Sequence, residues 1–186
     1  LNDGYDVIQD WDKMYSDWFA VPKSIKTTSV KPSGTVSLLA GATPGLHYPE
    51  SRFYIRRIRL SKHSELLEPL HKAGYKVEPA FGSEDTTMVV EVPVDVGEGI
   101  RTAAELSIWE QFANAVDLQH YWADNQVSIT ITFKQDEANQ IARALSCFDS
   151  KLKGVSLLPL SEHGYAQAPY ITEDWDKVKA YEDTLK

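Results

Sequence analysis

The residues best placed to do chemistry form the run Lys31-Pro32-Ser33-Gly34-Thr35-Val36-Ser37-Leu38-Leu39-Ala40-Gly41. Pro32 fixes the backbone where a β-rich stretch, Ser24 to Val30, comes to its end. Gly34 lets the main chain approach a ligand closely. The small and aliphatic residues that follow can open a helix, whose first amides and dipole favour an anion. Ser33, Thr35 and Ser37 add hydroxyl donors at the same place. On chemistry alone Ser33, Gly34, Thr35, Val36 and Ser37 make a phosphate cradle. It has neither the Lys-Ser/Thr ending of a P-loop nor the glycine spacing of a dinucleotide fold. A serine-rich turn capping an ordinary helix would use the same residues, so the run alone leaves both readings open.

Other chemistry-bearing residues are scattered. His47 and His163 each sit in a Gly/Pro-rich loop beside a strand, where a catalytic role and an ordinary loop role compete. Arg56, Arg57 and Arg59 could grip phosphate or carboxylate, or pair with the chain's own acidic residues. His63 and His71 are eight residues apart with no carboxylate to complete a metal set, so no metal site is expected. Cys147 falls on a helix face opposite the apolar stripe, among Gln140, Arg143 and Lys151, and reads as an incidental thiol.

The elements that must position these residues mostly alternate between strand and helix. Helices are expected over 5–20, 35–40, 64–73, 136–152 and from Thr172 onward. A long helix is expected to open at a capping box, Thr102-Ala103-Ala104-Glu105, and to run to Trp122. Its apolar stripe is read at Leu106, Trp109, Ala113 and Val116, widened by Ile108 and Phe112. Strands are expected over 24–30, 53–60, 75–80, 86–93, 126–133 and 155–158. The alternation implies an α/β fold with a mainly parallel sheet.

Composition bounds the rest. The 186 residues, 42% hydrophobic and with five tryptophans, can fill one real core. A net charge of −8 argues against nonspecific binding to nucleic acid. No apolar run suits a membrane span or a signal segment. One cysteine excludes an internal disulfide framework and fits a reducing cytoplasm. The start at Leu1, with Trp11, Tyr15, Trp18 and Phe19 close behind, reads as a cut through a larger protein.

Taken in order, the loops carry a resemblance. Lys31 to Gly41 resembles the substrate-phosphate loop of adenosylcobalamin-dependent ribonucleotide reductases. Thr43-Pro44-Gly45-Leu46-His47-Tyr48-Pro49, Tyr54 to Arg59, Asp124 to Thr130, Lys153 to Pro159 and Tyr165-Ala166-Gln167-Ala168-Pro169-Tyr170 are similar to the segments that follow it. The Gly45-Leu46-His47-Tyr48-Pro49 version looks more like the monomeric, triphosphate-reducing branch. The resemblance covers about residues 24–181.

It implies that residues 1–186 are one segment, the C-terminal part of a ten-stranded α/β barrel. Residues 24–30, 127–133 and 155–159 would be barrel strands, and Ser33 to Ser37 would hold substrate phosphates, with His47, Arg56 and Arg57 as secondary candidates. Adenosylcobalamin is the implied cofactor. The implied partners are the N-terminal part carrying the radical cysteine, a ribonucleotide substrate and a thioredoxin-type reductant. The radical cysteine with its Asn and Glu, and the reducing cysteines, are absent, so no catalytic residue is expected and the chain alone should be inactive. A non-catalytic phosphate-binding domain derived from the same barrel, and a related reductase with another radical source, are the alternatives.

Overall fold

A computed structural model describes residues 1–32, 37, 42–160 and 167–185. They fall into two units, Leu1–Tyr48 with Glu105–Ser161, and Pro49–Ala104 with Glu162–Lys186. No helix among the described residues is long and apolar enough to cross a membrane.

The first unit opens with α1, Asn2–Phe19. Its other long helix is α3, Ile108–Tyr121, which follows the helix α2 of the second unit, Leu67–Lys72. The α3 N-terminus differs from the expected capping box. Ala103–Glu105 is a separate 3-10 turn, and the cap is Ser107, whose hydroxyl accepts from the Glu110 amide. A second acceptor comes from far along the chain. The buried Glu137 carboxylate takes the Ile108 amide on one oxygen and the Lys134 amide on the other, both at 3.0 Å. A long-range carboxylate thus satisfies an amide that α3 cannot pair internally, which local sequence cannot reveal.

The apolar stripe of α3 is also rotated from the expected one. Ile108, Gln111, Phe112 and Ala115 are the buried positions. Ile108, Phe112 and Ala115 pack on Ile129 and Ile131 and on Ala144, with Leu46, Trp109, Phe148 and Leu157 around them. Burial of a side chain such as Phe112 stabilises by about 1.5–3 kcal/mol, and its ring stacks on Phe148 at 5.4 Å. The expected helix over 136–152 is broken into a 3-10 turn, Gln135–Gln140, helix α4, Ile141–Phe148, and a second 3-10 turn, Asp149–Lys151. Cys147 is exposed, as its helix angle implies.

Strands β4, Thr130–Phe133, and β5, Ser156–Pro159, run parallel with Thr130 opposite Ser156. The expected strand 24–30 is reduced to one parallel bridge, Val30 to Val127, and the Ser128 amide donates to the Val30 carbonyl at 2.9 Å. The remainder of that segment has no ladder, and Ile25 is fully in solvent. The physical reason is one of partners, since a β-branched segment becomes a strand only when a neighbour supplies the hydrogen bonds.

The second unit departs further from the expected parallel sheet. Its four strands are β1, Phe53–Ser61, β2, Val77–Pro79, β3, Thr87–Asp95, and β6, Tyr170–Thr172. They are ordered β2-β3-β1-β6, with every pair antiparallel. Strand–helix alternation misled here because β3 inserts between β1 and β2, the two strands that α2 connects in parallel, so every hydrogen-bonded neighbour is antiparallel. Thr172 ends β6 rather than opening a helix; the last helix, α5, is Trp175–Glu182 with Asp174 as its N-cap residue. Tyr54, Ile55, Val89 and Val90 of the sheet and Val178 of α5 are buried.

Candidate functional site

Ser33, Gly34, Thr35 and Val36 lie outside the described residues, as does His163. What the structure describes is how the ends of their loop are held. Ser37 is helical, and its carbonyl accepts the Ala42 amide at 2.9 Å. Lys31 follows directly on the Val30–Val127 bridge, so one stem hangs on the segment leading into β4.

The other stem is held by Gly45 and His47. Gly45 has φ +61°, and a Cβ built there would stand 2.3 Å from the Lys31 carbonyl oxygen and 3.3 Å from Pro32 Cα. No side chain fits such a gap, so glycine is required both by its dihedral angle and by the main chain crossing it. The two stems therefore meet backbone to backbone.

His47 fastens the second stem to the same strand. The Thr130 amide donates to Nε2 at 3.0 Å, which makes Nε2 the acceptor and leaves the proton on Nδ1. Nδ1–H in turn donates to the Pro44 carbonyl at 2.9 Å. Both ring nitrogens are committed to backbone groups, so His47 holds the loop and has no nitrogen left to move a proton to a ligand. Next to it, Tyr48 Oη accepts from Asn114 Nδ2 of α3 at 3.1 Å.

Sequence reasoning missed the two glutamines of α3 that complete this support. Gln111 Nε2 donates to the Thr132 carbonyl at 2.8 Å, and its Oε1 accepts the Thr132 amide at 2.9 Å. Eight residues on, Gln119 Oε1 accepts the Val127 amide at 3.1 Å, while Nε2 donates to the Ala123 and Asn125 carbonyls. Together with His47 they occupy backbone groups at positions 127, 130 and 132. A glutamine on an apolar helix face was the one available signal, since a buried amide needs partners.

Asp124 is a second overlooked hub. Its carboxylate accepts from the Thr27 amide at 2.9 Å, the Thr27 hydroxyl at 3.1 Å and the Tyr5 hydroxyl at 2.8 Å. The Thr27 amide above all, then the hydroxyls, holds its pKa down to about 2. The same bond raises the Tyr5 phenol above its ordinary value. The Asp124 carbonyl also accepts from Lys153 Nζ. Asp124 therefore binds α1 and the 24–30 segment to the loop before β4.

The arginines belong to the second unit, where Arg56 and Arg57 engage its own residues and Arg59 is exposed. Arg57 holds Glu91 Oε1 through Nε at 3.0 Å and NH2 at 2.9 Å, and Lys76 takes Oε2 at 3.0 Å. Glu91 is buried, so this pairing neutralises a charge that could not stand alone. The Arg56 guanidinium lies over the Tyr170 ring at 4.3 Å. Arg57 therefore follows the internal-pairing reading.

The loop stems thus hang on the Val30–Val127 bridge and on Thr130, the first residue of β4, beside the parallel pair β4–β5. The class comes from a solved structure, the crystal structure of a B-12 dependent (class II) ribonucleotide reductase. The chain superposes on it with a TM-score of 0.85 and 37% identity, over 99% of this chain and 26% of that one. No family model matches the chain. The probable adenosylcobalamin-dependent ribonucleoside-triphosphate reductase of Dictyostelium discoideum is 55% identical over 171 residues, which are 90% of this chain and 22% of the relative. The corresponding reductase of Euglena gracilis is 51% identical over 91% of this chain and 24% of its own length. Over nearly its whole length the chain is similar to adenosylcobalamin-dependent ribonucleotide reductases. It spans about a quarter of the length of the relatives it matches.

Proposed function

We propose that this chain is the phosphate-loop segment of an adenosylcobalamin-dependent ribonucleoside-triphosphate reductase. In this reading it supplies part of a ten-stranded α/β barrel and acts with the remainder of the enzyme, which carries the radical and reducing cysteines. The observation that carries the reading is the double anchoring of the Lys31–Gly41 loop. Gly45 against Lys31 and His47 against Thr130 bring both stems to the parallel segment that leads into β4. Identity of 55% to a triphosphate reductase supports the chemistry assigned to it.

The role of the segment is binding and orientation. Amides and hydroxyls of Ser33 to Ser37 hold the substrate triphosphate, and the rigid stems keep them aimed. Cofactor homolysis would generate the thiyl radical in the whole enzyme. The described residues hold shallow clefts. One cleft among them, about 460 Å³, is open to solvent and is lined by residues such as Tyr5, Gln119, Trp122 and Lys151. By the resemblance, the cofactor is assigned to the remainder of the enzyme, and Cys147, exposed on α4, is given no part in the chemistry. A single free thiol suits the reducing cytoplasm, where a thioredoxin-type dithiol would serve as reductant.

The test is complementation. The chain is combined with Dictyostelium reductase lacking the matched segment, and ribonucleoside-triphosphate reduction is followed with adenosylcobalamin and a dithiol. Activity is expected only from the combination, and Ser33→Ala with Thr35→Ala should raise KM about tenfold or more with a smaller change in kcat. Turnover by the chain alone, or an assembled but inactive combination, would overturn the proposal.

A further inference from the structure

Helix α1 is turned inside out with respect to its own unit. The side facing the unit is largely polar: Tyr5 bonds Asp124, Gln9 donates to the Thr27 hydroxyl at 2.7 Å, Asp12 accepts the Ser24 amide at 3.1 Å, and Ser16 is buried. The large apolar residues face solvent. Trp11 is 51% exposed, Trp18 68% and Phe19 71%, with Val7 and Tyr15 also exposed. Positions 7, 11, 15 and 18 fall on one helical face, and the stripe continues past the helix end through Val21 to Ile25, which is 95% exposed. The rings already contact one another, Trp11 on Tyr15 at 5.5 Å and Tyr15 against Trp18 at 5.4 Å. Such a continuous aromatic stripe is an interaction surface rather than ordinary surface chemistry.

Charge says what covers it. Asp3, Asp6, Asp10 and Asp17 fall by helical spacing along one flank of the stripe, and Lys13 is spent on Asp17 at 2.8 Å. Two copies of α1 packed antiparallel would bring these aspartate flanks together, which disfavours self-association. In the solved class II structure the equivalent residues belong to a chain about four times as long. Resting on the reading of this chain as a reductase segment, we infer that the α1 stripe is the surface that docks the remainder of the reductase. The complementary face is an apolar groove lined on one side by Lys or Arg. Docking there would also place a neighbour beside the 24–30 segment, whose ladder is otherwise a single bridge.

Binding of the full chain to Dictyostelium reductase lacking the matched segment is measured by surface plasmon resonance in low and high salt. The wild-type chain should bind, and more weakly at high salt as the aspartate flank is screened. Trp18→Asp and Phe19→Asp should each weaken binding about thirtyfold, with unchanged far-UV circular dichroism, whereas Leu66→Asp, exposed in the other unit, should not. If wild type assembles but the α1 variants bind as tightly, the docking surface is refuted and the segment reading stands. If wild type does not assemble, the segment reading falls and takes this proposal with it. If Trp18→Asp abolishes self-association of the chain and leaves the complement's binding intact, a second copy is the occupant and the proposal is overturned.

Discussion

Replacing Gly45 by alanine strains the base of the Lys31–Gly41 loop. An L-residue at φ +61° costs about 1–2 kcal/mol. Its methyl group would also stand 2.3 Å from the Lys31 carbonyl oxygen and 3.1 Å from the Lys31 carbonyl carbon. Both neighbours are main chain, tied to the Val127 segment, so relief requires moving a stem and adds about 1–3 kcal/mol. The expected loss is about 3 kcal/mol, which at a slope of about 2 kcal/mol/M lowers the urea midpoint by about 1.5 M. Tryptophan fluorescence follows the transition, since Trp109 packs against the core of this unit. Two companions separate the causes. Ala20→Gly, at φ +53° in the same unit, changes only the dihedral cost and should stabilise by about 1 kcal/mol. Gly45→Asn tolerates the dihedral but keeps a Cβ, so it should stay within about 1 kcal/mol of Gly45→Ala. The reasoning fails if Gly45→Ala melts within about 0.5 kcal/mol of wild type, or if Gly45→Asn restores wild-type stability.

Two further outcomes follow from the charged groups. The Asp124 carboxyl titrates at about 2 in the folded chain against an ordinary 3.8, so its contribution is complete above about pH 4 and drains away as pH falls toward 2. At about 1.4 kcal/mol per pH decade that gap is about 2.5 kcal/mol, which solvent screening at this open carboxylate reduces to about 1 kcal/mol. Asp124→Asn should flatten the pH 5-to-2.5 dependence of the urea midpoint by that amount, and parallel wild-type and variant curves would contradict it. Arg57→Met should destabilise the second unit by about 3 kcal/mol by leaving Glu91 buried with only Lys76, and Arg57→Met with Glu91→Leu should recover most of the loss. Because Arg57 serves Glu91, the complemented enzyme carrying the double variant should keep its KM for the triphosphate; a tenfold rise would return Arg57 to the binding site.

The sequence by itself carried the family resemblance and most element locations, and it singled out the loop chemistry. Pro32, Gly34 and the three hydroxyls are local signals, and the ordered loop motifs from Thr43 to Tyr170 are contiguous words in one chain. The same local logic placed β1, β3 and α1 to within a few residues, and put Cys147 on an outer face. Tertiary structure decided the rest, because each remaining feature joins residues far apart in sequence. The cap of α3 comes partly from Glu137, 29 residues on, and the proton position on His47 is set by Thr130, 83 residues away. Strand polarity in the second unit depends on which edges meet, and alternation of elements does not encode that. Whether Ser24 to Val30 forms a strand depends on a neighbour that only long-range packing provides. Gly45 marks the boundary between the two kinds of knowledge. Sequence shows a glycine in a turn, and only the Lys31 carbonyl oxygen 2.3 Å from its absent methyl group shows why nothing else fits there.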